Sequence, residues 1–123
     1  SDTVVSKGRR IMEKPKDEEE ARHFLGLLSG SRHRVHTAVC VCAPGGRISC
    51  RNVTSMVRFY RLQEQDIASY LATDEWQGKA GGYAIQGHGG LLVRDIQGCF
   101  YAIMGLPISQ TQRMLRGIGF RGA

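Results

Sequence analysis

Between Gly78 and Gly90 the chain reads Gly-Lys-Ala-Gly-Gly-Tyr-Ala-Ile-Gln-Gly-His-Gly-Gly, a segment that holds six of its sixteen glycines. Glycine has no Cβ, so such a run lets main-chain N–H groups approach a ligand and adopt positive φ. Lys79 offers a point charge to an anion. The Gln86 amide can both donate to and accept from the polar edge of a flat ring. The combination suits a ligand that is phosphorylated and heterocyclic. A flexible glycine loop joining a helix to a hairpin fits the same residues, since glycine clusters are loop punctuation first.

Two familiar phosphate motifs do not fit. Gly78-Lys79-Ala80 lacks the Ser or Thr after Lys, and the spaced upstream glycine, of a P-loop. Gly87-His88-Gly89-Gly90 is not Gly-x-Gly-x-x-Gly, and a strand is expected after it where a dinucleotide fingerprint needs a helix. Metal and disulfide chemistry have candidates in Cys40, Cys42, Cys50 and Cys99. Cys40 and Cys42 are two apart, so on a strand they share a face without Cys-x-x-Cys geometry, and adding His33 and His36 matches no common metal pattern. Reduced, half-buried strand thiols are the expectation.

These residues must be positioned by a chain of 123 residues, enough for one domain with one core. Hydrophobic content of 41% and charged content of 23% are ordinary for a globular protein. The longest apolar run, Val39 to Ala43, is far too short to span a bilayer, and no signal-peptide pattern opens the chain, so a cytoplasmic setting without membrane association is expected. Seventeen Lys and Arg against eleven Asp and Glu give a net charge of +6, which favours an anionic partner. The basic residues are scattered, from Lys7, Arg9 and Arg10 through Arg32 and Arg34 to Arg113, Arg116 and Arg121. Without an aromatic-interleaved basic stripe, nucleic acid is not the expected partner.

Local patterns give the elements. Val4-Val5 is strand-like, Lys7-Gly8-Arg9 turns, and Ile11-Met12 resumes apolar character up to Pro15. Asp17 followed by Glu20 has the form of a capping box, and Ala21, Phe24, Leu25 and Leu28 then mark one helical face. Ser29-Gly30 ends that helix. Val35 to Ala43 reads as a strand buried on both faces. Pro44-Gly45-Gly46 turns it into a second long strand, Arg47 to Phe59. Glu64 to Leu71 reads as a short helix, and Thr73 to Trp76 breaks it before the glycine segment. Leu91–Ile96 and Cys99–Met104 around Gln97-Gly98 predict a hairpin. Leu106-Pro107 leads to a closing helix through Met114 and Leu115. The order indicates a mixed α/β domain.

With these segments in place the chain resembles the Maf family, septum-formation-inhibitor proteins that are nucleoside-triphosphate pyrophosphatases. Asp2-Thr3-Val4-Val5 resembles the family's Ala-Asp-Thr-Val-Val, and Lys14-Pro15 its Gly-Lys-Pro. Leu28-Ser29-Gly30 with His33, Val35 and Thr37 resembles its Leu-Ser-Gly-x-x-His-x-Val-x-Thr. The most specific match is Lys79-Ala80-Gly81-Gly82-Tyr83-Ala84-Ile85-Gln86-Gly87, followed by Gly105-Leu106-Pro107. The resemblance covers essentially the whole chain. It implies a mixed-sheet α/β fold of the inosine-triphosphatase-like kind with a cleft between lobes. It also implies cleavage between the α and β phosphorus atoms, a divalent cation (Mg2+ or Mn2+), a nucleoside triphosphate substrate and a homodimer. The Lys-Ala-Gly-x-Tyr-x-Ile-Gln-Gly form is similar to members that prefer dTTP and UTP.

Carried over residue by residue, Asp2 would act as general base on the attacking water or hold the metal. Lys14 and Lys79 would neutralise phosphate charge, and Thr3 and Gln86 would set specificity, Gln86 by pairing with a pyrimidine O4 and N3–H. Solvated-charge roles for Lys14 and Lys79, a frayed terminal carboxylate at Asp2 and a structural loop amide at Gln86 remain open alternatives. The other carboxylates read as caps and solvated faces. Two departures stand out. The family's Ser-x-Ser-Pro-Arg-Arg phosphate loop, with an upstream Glu and Lys, has no counterpart, so residues 1–123 are expected to be a single Maf-like domain truncated at its N-terminus and a poor catalyst. Glu13 also replaces the usual Gly before Lys-Pro. The alternative class is a non-catalytic nucleotide-binding or interaction module.

Overall fold

The structure, a computed structural model, describes residues 2–118; Ser1 and Arg121 of the segments above lie outside the described residues. Its elements run β1 (Asp2–Lys7), β2 (Arg10–Met12), α1 (Glu18–Leu28), β3 (Arg32–Cys42), β4 (Ile48–Phe59), α2 (Glu64–Leu71), β5 (Val93–Gln97), α3 (Phe100–Met104) and α4 (Ile108–Gly117). Short 3-10 turns lie at Ala80–Gly82, within the glycine segment, and at His88–Leu92, across its end. The sheet order is β2-β1-β3-β4-β5. The α/β class is as expected, but all four pairings among the described residues are antiparallel, without the parallel pair that a mixed sheet includes.

The long β3–β4 ladder, from Arg32↔Arg58 to Cys42↔Ile48, is the spine of the sheet. On β3, His33, Val35, Thr37 and Val39 are buried while Arg32, Arg34 and Cys40 are exposed. The strand therefore buries one face, not two. An antiparallel strand alternates its side chains, and the run of small and β-branched residues concealed that alternation. The inner face joins one apolar cluster with Val5, Leu25, Leu28, Phe59, Leu71, Trp76 and Tyr83.

The helices before the glycine segment form where local chemistry places them. Asp17 accepts from the Glu20 N–H at 2.8 Å and caps α1. Glu20 closes back onto the Lys16 N–H at 3.1 Å, one residue before the expected reciprocal partner. Gly30, at φ 64°, follows the C-cap. In α2 the Gln63 N–H donates to Asp66 at 2.8 Å, and the indole N–H of Trp76 donates to Leu71 O at 3.2 Å, fastening the turn after the helix.

Two local expectations are overturned. Cys99–Met104 is not the second strand of a hairpin. Ser55 on β4 accepts the Cys99 N–H at 3.0 Å, Cys99 Sγ accepts from Ala102 N at 3.4 Å, and the chain winds into α3. Thr37 Oγ1 then donates to Ala102 O at 2.6 Å, docking α3 against the sheet. The aromatic, β-prone composition of this segment is overridden by tertiary contacts. Nor are all four cysteines reduced: Cys40 and Cys50 are disulfide-bonded, and only Cys42 and Cys99 are free. Cys40 and Cys50 face each other directly across the β3–β4 ladder, with Cα atoms 4.1 Å apart, a close cross-strand pair. The Cys40–Cys42 spacing along one strand does not reveal the register that pairs Cys40 with Cys50 on the next.

Candidate active site

A cleft of about 260 Å³ opens where β1, the glycine segment and the end of α3 meet. Asp2, Thr3, Lys14, Lys79 and Gln86 all line it, so five positions from three separate stretches of sequence converge. A neighbouring groove of about 360 Å³ shares Asp2, Thr3, Lys14 and Ala80, so the two adjoin. Ile103, Met104 and Gly105 close the other side, residues that come into view only because Phe100–Met104 is a helix.

The backbone of the glycine segment is held at several points. Gly81 sits at φ 71°, and a Cβ there would meet the Val5 side chain at 3.1 Å. Only glycine satisfies both conditions without strain. Its N–H donates to Glu13 O at 3.2 Å, which ties the Lys79 region to the Lys14 region. Glu13, the departure from the family pattern, lines the neighbouring groove and contributes this carbonyl. Ala84 N donates to the Tyr70 hydroxyl at 3.2 Å, and Tyr83 OH lies 2.6 Å from His33 Nε2 in the core. Burial pushes the Tyr70 and Tyr83 hydroxyls well above the ordinary phenol range, so both stay protonated. Burial, followed by the charge of Lys7, lowers the His33 pKa to about 4.

The charged and amide groups of the cleft are accessible. Asp2, Lys14, Lys79 and Gln86 are exposed and Thr3 is half-buried. Among the described residues the side chains of Lys14, Lys79 and Gln86 make no hydrogen bond or ion pair, leaving their donors free for a ligand. Asp2 Oδ1 accepts the Thr3 N–H at 3.0 Å, which leaves the second oxygen uncommitted. Thr37 spends its hydroxyl proton on Ala102 O, so at the 3.4 Å contact with Thr3 it can only accept. Two ammonium groups against one carboxylate make the cleft a site for an anion.

One expectation about the glycines is corrected. The N–H groups of His88 and Gly89 do not face a ligand: Glu75 takes them at 2.9 and 3.1 Å and also meets His88 Nδ1 at 3.0 Å. Glu75 is thus no solvated-face carboxylate. Burial works to raise its pKa, but the hydrogen bonds from His88 and Gly89 outweigh that and hold it below the ordinary carboxylate value. Sequence offered one signal for it, the position of Glu75 in the turn that introduces the glycine segment.

For a divalent cation, Asp2 is the carboxylate lining the cleft. No group of three or more His, Cys, Asp or Glu side chains suited to a metal occurs among the described residues. This donor set fits Mg2+ or Mn2+ held by one carboxylate, phosphate oxygens and water, and does not fit an all-protein cage.

An antiparallel sheet packed against helices, with a cationic cleft bounded by glycines and an exposed amide, defines an α/β protein with a site suited to an anionic ligand. Comparison with known sequences narrows it. The profile of the Maf family, described as "Maf-like protein", matches residues 1–118, and the chain belongs to that family. It is 53% identical over 120 residues to the dTTP/UTP pyrophosphatase of Paramagnetospirillum magneticum, and 49% identical over 120 residues to that of Rhodospirillum rubrum. The "Nucleoside triphosphate pyrophosphatase" of Anaplasma phagocytophilum is 49% identical over 117 residues. These alignments cover 98%, 98% and 95% of this chain but 63%, 57% and 61% of the relatives, so the chain spans about three fifths of their length.

Proposed function

We propose that the protein is a nucleoside-triphosphate pyrophosphatase acting on dTTP, UTP and related pyrimidine triphosphates. The observation that carries this is the convergence of Asp2, Thr3, Lys14, Lys79 and Gln86 on one cleft, and the names of the relatives support it. Lys14 and Lys79 hold the phosphates and offset their charge, and Gln86 meets the pyrimidine edge with its amide. Asp2 takes the proton of a water whose oxygen bonds to the α-phosphorus. The bond from that phosphorus to the bridging oxygen breaks, and pyrophosphate leaves with the electron pair. The monophosphate remains. A bound Mg2+ or Mn2+ supplies charge neutralisation at the phosphates and a more acidic water. A homodimer and a cytoplasmic setting belong to the same reading. Among the described residues no helix is long and apolar enough to cross a membrane.

The test is incubation of this chain, and of one extended upstream to include the family's Ser-x-Ser-Pro-Arg-Arg loop, with dTTP, UTP, CTP and GTP plus Mg2+, with pyrophosphate and orthophosphate measured separately, alongside light scattering for the dimer. Pyrophosphate release fastest with dTTP and UTP is the expected result. Nucleotide binding without turnover by the extended chain at any concentration of Mg2+ or Mn2+ overturns the enzymatic reading in favour of a binding module.

A further inference from the structure

We propose that Glu75 is a positioning residue for base selection, acting through the main chain of Gln86. The inference rests on the reading above that Gln86 meets the base. Gln86 is exposed and its side chain has no partner of its own among the described residues, so its backbone alone fixes the point from which the amide reaches into the cleft. That backbone is bracketed. On one side the Tyr70 hydroxyl accepts from Ala84 N at 3.2 Å. On the other, the two oxygens of Glu75 accept from His88 N at 2.9 Å and Gly89 N at 3.1 Å. Only Ile85, Gln86 and Gly87 lie between the brackets, and Ile85 is itself buried.

The fit around the carboxylate is close. A Cβ on Gly87 would lie 2.4 Å from Glu75 Oε2, so a side chain there would expel the carboxylate. Gly87 also closes a turn onto Ala84 O at 3.2 Å. A carboxylate accepting two successive N–H groups does for this loop what a bound anion does for a phosphate loop, but from within the chain. Glu75 projects from the turn after α2, and Tyr70 lies on α2 itself. Both brackets therefore come from one rigid unit, fastened by Trp76 to Leu71. Neither Glu75 nor Tyr70 lines the cleft. A mispositioned amide loses the hydrogen bonds that tell uracil from cytosine while leaving the phosphate contacts in place.

The experiment measures equilibrium binding of UMP and CMP by calorimetry to the unaltered protein, Glu75→Gln, Glu75→Asp, Tyr70→Phe, Gln86→Ala and the Glu75→Gln/Gln86→Ala pair, with thermal unfolding of each. Expected is a fall of about tenfold in the UMP-over-CMP preference for Glu75→Gln, with partial recovery in Glu75→Asp. In the pair, Glu75→Gln should add no further loss once Gln86 is gone, because the two act through one contact. If Glu75→Gln does not fold, Tyr70→Phe, which releases the other bracket, carries the same expected loss. Equal weakening of UMP and CMP, or losses that simply add in the pair, overturns the inference and leaves Glu75 a structural residue. If Gln86→Ala itself leaves the preference unchanged, the base-reading role of Gln86 fails first, and this inference falls with it.

Discussion

At the scale of single residues, Asp2 and Gln86 carry different halves of the proposed chemistry, and their substitutions should separate accordingly. In a chain extended upstream to include the Ser-x-Ser-Pro-Arg-Arg loop, Asp2→Asn removes the charge and keeps the shape, so turnover should fall by about 10²-fold or more at saturating Mg2+ with nucleotide binding largely retained. Near-normal turnover would mean that the attacking water is activated by another group. Lys79→Ala should instead weaken binding of all four triphosphates alike, because an ammonium reads phosphate and not base; a change confined to one base would displace Lys79 from that role. The residues of the cleft were legible in the sequence because their types are tied to chemistry and their segments resemble a family. Glu75 was not. A lone carboxylate in a polar turn looks like any solvated acid until the fold brings His88 and Gly89 against it.

At the scale of elements, the glycine segment depends on two separable constraints, and two of its glycines isolate them. Gly78 and Gly81 both sit at φ 71°, but an added Cβ meets nothing within 4 Å at Gly78 and meets Val5 at 3.1 Å at Gly81. Gly78→Ala should therefore cost only the left-handed backbone term, about 1 kcal/mol, while Gly81→Ala should cost about 2–3 kcal/mol and loosen the Glu13 link. Urea denaturation of the two variants checks the order; equal losses would show that Val5 yields without cost. The elements that could be read from sequence are those fixed by contacts within a few residues: the Asp17 cap, the α1 stripe, α2 and the Pro44–Gly46 turn. Those misread are fixed from a distance. Phe100–Met104 is helical because Ser55 and Thr37, far away in sequence, hold its N-cap residue Cys99 and the carbonyl of Ala102, and Cys40 finds Cys50 through strand register. Mass spectrometry after thiol labelling should find Cys42 and Cys99 modified without reductant and all four cysteines with it; four modified thiols at the outset would remove the disulfide.

At the scale of the whole molecule, the core contains a titratable group that links stability to pH. His33 is 2% exposed, stacked edge-on against Phe59 and Tyr83 and hydrogen-bonded to the Tyr83 hydroxyl. With its pKa lowered to about 4 from 6.5, chiefly by burial and then by Lys7, the unfolded chain takes up the proton first as pH falls. Stability from this group is complete above pH 6.5, declines between 6.5 and about 4, and is constant below, with a total loss of roughly 3 kcal/mol. Glu75 and Asp95 act in a lower window. The first is held below its ordinary value by His88 and Gly89 against the effect of burial, the second by hydrogen bonding to Arg58. Their contributions are present above the ordinary carboxylate values and are lost below them, as pH falls through the lowered folded-state values. The windows meet near pH 4, so a measurement between pH 7 and 5 isolates the histidine. His33→Gln keeps a hydrogen-bonding group opposite Tyr83 and cannot titrate. It should be less stable than the unaltered protein at pH 7 but show a much flatter dependence from pH 7 to 5 in urea denaturation. An unchanged slope would place the acid sensitivity elsewhere and leave His33 a purely packed residue beneath Tyr83, the ring that lines the floor of the cleft.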